Sequence, residues 1–99
     1  MGFEPGSKHD GESFEGKRTK GEEIVAVSFE GACLRDSTWT ECDFANDGMD
    51  GIVFRGADLS GATFEDCHFE ILHAERVSAI GVVFRRCTFG FADFSESEL

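Results

Sequence analysis

The sequence predicts an all-β solenoid, a parallel β-helix whose coils have four sides. Three columns of residues predict it. Every fifth residue from Ile24 is apolar: Ile24, Phe29, Leu34, Trp39, Phe44, Met49, Phe54, Leu59, Phe64, Phe69, Ala74, Ala79, Phe84, Phe89, Phe94 and Leu99. Nine of the eleven phenylalanines share this phase, where chance would place about two. Two places before each centre the chain is mostly small, as at Ala32, Ser37, Ala57 and Ala62, and Cys42, Cys67 and Cys87 fall in the same column. Two places after each centre lie nine of the twelve glycines.

A period of five suits neither a helix at 3.6 nor an ordinary strand at 2. It suits a short extended piece followed by a tight turn. In the extended piece, residues i and i+2 share a face, so one small and one large side chain point inward. The turn then redirects the chain by about a quarter, and its left-handed position favours Gly, Asn or Asp. Four sides close a coil of about 20 residues, and coils stack about 4.8 Å apart by parallel pairing, each stabilised by its neighbours.

Taken in order, residues 1–23 are polar and glycine-rich and read as a disordered segment, with residues 24–99 as the repeat domain. The recurrence of "SFEG" at Ser13–Gly16 and Ser28–Gly31 leaves open a degenerate first coil from near Glu12. A strict 20-residue coil would stack Phe44, Phe64 and Phe84 in one interior column, and Phe29, Met49, Phe69 and Phe89 in another. Asp47, a carboxylate in the small column, lies in the turn-like "NDGMDG" and predicts a local bulge, since a buried charge must find partners or water. Centres shrink at Ala74 and Ala79, where Leu72 and Val77 are placed to refill the space. Corners at Gly31, Gly51, Gly56 and Gly61 accept positive φ, whereas Ile71 strongly resists it and Arg76, Arg86 and Phe91 disfavour it. The turn should therefore change near Ile71.

"GADLSGATF" (56–64), with Cys42-Asp-Phe44, Cys67-His-Phe69, Cys87-Thr-Phe89 and Ala92-Asp-Phe94, resembles the pentapeptide-repeat proteins. The resemblance covers about Val27 to Leu99. It implies a right-handed quadrilateral β-helix of about 3.5–4 coils, and no particular activity, because unrelated functions share the fold.

Twenty acidic against nine basic residues leave a net charge of −11, which disfavours direct binding to nucleic acid or an anionic membrane. No apolar run approaches the roughly 18 residues of a membrane span. The N-terminal segment lacks the apolar core of a secretory signal, so a cytoplasmic protein with reduced cysteines is expected. Cys33, Cys42, Cys67 and Cys87 form no CxxC pair and predict no metal; three of them read as compact core side chains. "GKRTKG" (16–21) lacks phosphate-loop spacing, and His68 and His73 fall on neighbouring sides. No catalytic residue and no cofactor are predicted, and an enzyme is not expected.

The outer faces carry the functional reading. A 20-residue coil would stack Glu30, Asp50 and Glu70 into an acidic ladder, the candidate interaction face, beside a mixed ladder of Arg35, Arg55 and Glu75. At the C-terminal end, Ile71, Ile80, Val83, Phe91, Phe94 and Leu99 are the candidate interface. A two-fold homodimer would cover it; the competing explanation is a fragment whose further coils do so. The sequence thus predicts a non-catalytic scaffold or protein-interaction module whose partner it does not name. The alternative comes from the resemblance: some acidic pentapeptide-repeat proteins linked to quinolone resistance imitate duplex DNA toward topoisomerases such as gyrase. Their partner would be a basic, DNA-binding protein.

Overall fold

The computed structural model describes residues 3–46 and 51–98. Among them there is no helix, and every paired strand is parallel. One four-stranded sheet holds β1 (Arg18–Lys20), β3 (Thr38–Thr40), β6 (Thr63–Glu65) and β8 (Val83–Arg85), in the order β1-β3-β6-β8. The second joins β2 (Glu23–Val25), β4 (Asp43–Ala45) and β7 (His68–His73); β7 also pairs β5 (Ile52–Val53) and β9 (Thr88–Asp93). The remaining sides are held by single bridges, such as Ser13 to Cys33 to Asp58 to Ser78 to Glu98. The result is a β-solenoid of about four turns.

The interior is what the three columns require. Ile24, Phe29, Leu34, Trp39, Phe44, Phe54, Leu59, Phe64 and Phe69 are fully buried centres, with Ala32, Cys42, Ala57, Ala62 and Cys67 between them. Leu72 and Val77 are in the core beside the small centres Ala74 and Ala79. One buried polar pair serves the largest side chain: Trp39 Nε1 donates to Ser37 Oγ at 2.9 Å, and Ser37 Oγ donates to the Leu34 carbonyl at 2.7 Å. A buried indole N–H without such a partner would cost about 1–3 kcal/mol.

Three expectations are corrected. Residues 3–23, read as disordered, form a first coil: β1 pairs β3, and His9 and Phe14 donate backbone N–H groups to Ser28 and Cys33 at 2.8 and 2.7 Å. Their glycines are corner residues, with Gly16 and Gly21 at φ 71° and 70°, so a composition that reads as disorder is turn chemistry. Phe3 caps this end, its ring 5.4 Å from that of Phe29 and 6.1 Å from that of Trp39.

The second correction is register. Coils are 20 residues apart from Arg18 to Thr38 and from Phe64 to Phe84, but 25 apart from Trp39 to Phe64, Phe44 to Phe69 and Ser28 to Val53. Five extra residues therefore enter between Ala45 and Gly51. Because five is one whole repeat, the phase of the columns is unbroken while their partners change. Phe64 stacks on Trp39 and Phe84, and Phe69 on Phe44 and Phe89; Phe29 sits over Phe54. Met49, Asp47 and the bulge expected there lie outside the described residues.

The third concerns corners. Ile71 does not adopt positive φ, as its branching requires, and neither does Phe91; β7 and β9 run straight through those corners as six-residue strands. Gly51 does not use positive φ either. Arg76 and Arg86 do, at 55° and 53°, along with Ala26, Asp36, Glu41, Asp66 and Glu96. Coil closure outweighs a local cost of about 1–2 kcal/mol at each.

Candidate protein-interaction surface

The 25-residue step rearranges the outer faces. Glu30 lies over Arg55 rather than Asp50, since the Gly31 N–H bonds the Arg55 carbonyl. Arg55 in turn pairs with Glu75 at 3.4 Å. Glu70 is on another side, on β7, where its carboxylate accepts the Asn46 N–H at 3.0 Å. Glu30 and Glu70 therefore do not share a column, and Asp50, the third acid of the expected ladder, lies outside the described residues. The mixed ladder keeps only Arg55 and Glu75; Arg35 pairs instead with Asp58 at 3.2 Å.

Many carboxylates are neutralised in neighbouring rungs. On the outer face of β6 and β8, Arg85 reaches Glu65 at 3.3 Å, and Arg86 reaches Asp66 at 2.7 Å and Glu65 at 2.9 Å. The hydrogen bond from Arg86 holds the Asp66 carboxyl below its ordinary range, and raises Arg86 in turn. Other acids have no cation partner among the described residues. Glu23 on β2 stacks over Asp43 on β4, both exposed, with Glu41 at the adjoining corner and Glu70 on the next rung. This corrected face replaces the expected ladder. Glu23 over Asp43 is a 20-residue step hidden by the reading of residues 1–23 as disordered; only the place of Glu70 depends on the five-residue step.

Cys42, Cys67 and Cys87 stack at one corner, and their thiols donate to backbone carbonyls, Cys67 to Trp39 at 3.3 Å and Cys87 to Phe64 at 3.2 Å. All four cysteines are free. Among the described residues no three His, Cys, Asp or Glu side chains are grouped to hold a metal.

At the C-terminal end, Val82, Phe84, Phe89 and Phe94 line an open apolar pocket of about 300 Å³. Around it Ile80 is 59% exposed and Phe91 55%, with Val83 less so. Of the expected interface, Ile71 is half-buried and stacks with Phe91, Phe94 lines the pocket, and Leu99 lies outside the described residues.

Repeat, corners and coil define the class: a parallel β-solenoid built on a five-residue repeat, similar to the pentapeptide-repeat proteins. Residues 49–70 match the family model described as Pentapeptide repeats (8 copies). Among solved structures the chain is similar to QnrB1, a plasmid-mediated fluoroquinolone resistance protein. A trypsin-treated QnrB1 variant superposes with a TM-score of 0.87 at 27% identity, over 97% of this chain and 47% of that one. Full-length QnrB1 gives 0.76 at 25%, over 97% and 48%. The chain thus spans about half the length of the QnrB1 structures it matches. A pentapeptide repeat protein from the Arabidopsis thaliana thylakoid lumen shares the fold, with a TM-score of 0.56 at 21% identity over 93% of this chain and 61% of that one. No curated protein matches significantly. No helix among the described residues is long and apolar enough to cross a membrane.

Proposed function

We propose that this chain is a non-catalytic, cytoplasmic protein-binding module, and that its partner is a basic DNA-handling enzyme of the topoisomerase class, engaged as duplex DNA would be. The observation that carries the proposal is the run of unneutralised carboxylates at Glu23, Glu41, Asp43 and Glu70 on a rigid stack. Rungs about 4.8 Å apart hold Glu23 over Asp43, with Glu41 and Glu70 in the columns beside them, a cluster of charge that a DNA-binding groove would attract. The structural likeness to QnrB1 supports the same reading.

Length qualifies the mode of binding. The column Lys8, Ser28, Val53, His73 and Asp93 has five rungs, so the stack is about 19 Å tall. Duplex DNA rises about 3.4 Å per base pair, so one copy matches between five and six pairs. Two copies joined at the apolar C-terminal end would double that span. A homodimer through Phe84, Phe89, Phe91 and Phe94 is accordingly part of the proposal.

The test is a gyrase supercoiling assay with and without a fluoroquinolone. The chain should alter supercoiling or relieve the drug's inhibition, and Glu23→Lys with Asp43→Lys should abolish that effect. Glu30→Lys, beside Arg55, should change it less. No effect of the unaltered chain on the enzyme, in either condition, would remove the topoisomerase reading. Recovery of a different specific partner from native lysate would then favour a general scaffold.

A further inference from the structure

We infer that the outer edge of β1 is a docking site for an extended acidic peptide strand of the pattern acidic–apolar–acidic. The inference rests on the first coil alone and is independent of the topoisomerase reading. β1 is the end strand of its sheet among the described residues. In a parallel ladder alternate residues face one neighbour. Lys17 uses its carbonyl, and Gly21 its N–H, to bond Thr38 and Thr40 of β3, at 2.9 Å each. Arg18 and Lys20 therefore present their N–H and C=O groups to the open edge. A peptide backbone can pair with such an edge; a nucleic acid cannot.

The side chains at this edge specify charge. Lys17, Arg18 and Lys20 put three of the nine basic residues within four positions, all exposed, in a protein of net charge −11. The same face shows what an added rung does with such residues. Lys20 heads the column Lys20, Thr40, Glu65 and Arg85, and in it Glu65 and Arg85 on adjacent rungs form an ion pair at 3.3 Å. An incoming strand with acids beside Arg18 and Lys20 would repeat that arrangement in a new rung.

The middle position specifies an apolar side chain. Thr19 is the inward centre of β1 and heads the column Thr19, Trp39, Phe64 and Phe84. It is the one small centre of that column, at the edge where the next centre would sit. A pocket of about 290 Å³ opens there, with Phe3 and Phe14 as its apolar walls and three cations, Lys17, Arg18 and Lys20, against one carboxylate, Glu22, among its other lining residues. A leucine or phenylalanine between two acids would enter it.

The experiment is fluorescence polarisation with the full chain and labelled eight-residue peptides centred on Glu-Leu-Glu, Glu-Gly-Glu and Lys-Leu-Lys, plus a single-stranded DNA oligonucleotide. Glu-Leu-Glu should bind at least tenfold tighter than the other probes, weakening as salt shortens the reach of the charges. Arg18→Glu with Lys20→Glu should reduce its affinity at least tenfold, with thermal unfolding unchanged because both side chains are exposed. Thr19→Phe should fill the pocket and erase the preference for Glu-Leu-Glu over Glu-Gly-Glu. No binding of Glu-Leu-Glu, equal binding of Lys-Leu-Lys, tighter binding of the DNA, or indifference to the Arg18 and Lys20 substitutions would each overturn the assignment.

Discussion

Phe44 lies face to face with Phe69, ring centroids 4.4 Å apart and planes 6° from parallel, although 25 residues separate them and the steps before and after, Ile24 to Phe44 and Phe69 to Phe89, are 20. The stack holds because the five added residues equal one repeat. Removing residues 46–50 should therefore leave every downstream centre facing inward. Removing only 47–50 should turn each centre from Phe54 onward off the core face, as a register slip does in any sheet. Thermal unfolding by far-UV circular dichroism separates the two. The five-residue deletion should retain one cooperative transition near the original midpoint, and the four-residue deletion should lose it. Equal damage from both would contradict the register.

Phe64 is the test of the core. Its ring stacks at 5.1 Å on Phe84 and at 6.1 Å on Trp39, and it is fully buried. Phe64→Ala should cost about 3–5 kcal/mol in denaturant unfolding, the usual range for an aromatic truncated in a packed interior. A loss below about 1 kcal/mol would mean that the column is not continuous.

Gly51 should tolerate no side chain, for a reason other than its φ. A Cβ built there would fall 2.5 Å from the Ile71 carbonyl oxygen and 2.7 Å from Ile71 Cβ. Gly51→Ala must displace backbone in β7, so its unfolding midpoint should drop well below that of Gly31→Ala, where a Cβ meets open space and only the φ of 67° is strained. Matching midpoints would show that β7 yields freely.

Asp66 reports the outer ladder. Hydrogen bonding from Arg86 depresses its carboxyl. A folded pKa below the unfolded value stabilises above the ordinary carboxylate range, and that contribution is lost as pH falls through the depressed midpoint. An NMR titration should find the Asp66 midpoint below the usual value, and Arg86→Ala should move it upward. An unchanged midpoint in the variant would sever the pair.

The apolar C-terminal end should self-associate. Sedimentation at about 100 µM, well above the micromolar range of a modest interface, should show a dimer that Phe91→Glu disrupts. A monomer unaffected by the substitution would rule this interface out.

The sequence by itself determined which side chains face inward. From Ile24 to Phe94 the five-residue phase is never broken, and a period that fits neither helix nor ordinary strand leaves few folds that bury its apolar column. It also determined that Ile71 would refuse the left-handed corner, because branching at Cβ is a local steric fact. Tertiary structure decided which coil each residue meets. An insertion of one full repeat is silent in the phase, so Glu30 reads as stacked on Asp50 until pairing places it over Arg55. The same limit hid the first coil. His9 and Thr19 are polar centres that only an end rung tolerates, and glycines that signal disorder in isolation become corners once a neighbouring coil bonds them. Neighbour stacking supplies the stability of a solenoid, and neighbours 20 or 25 residues apart are a property of the folded chain.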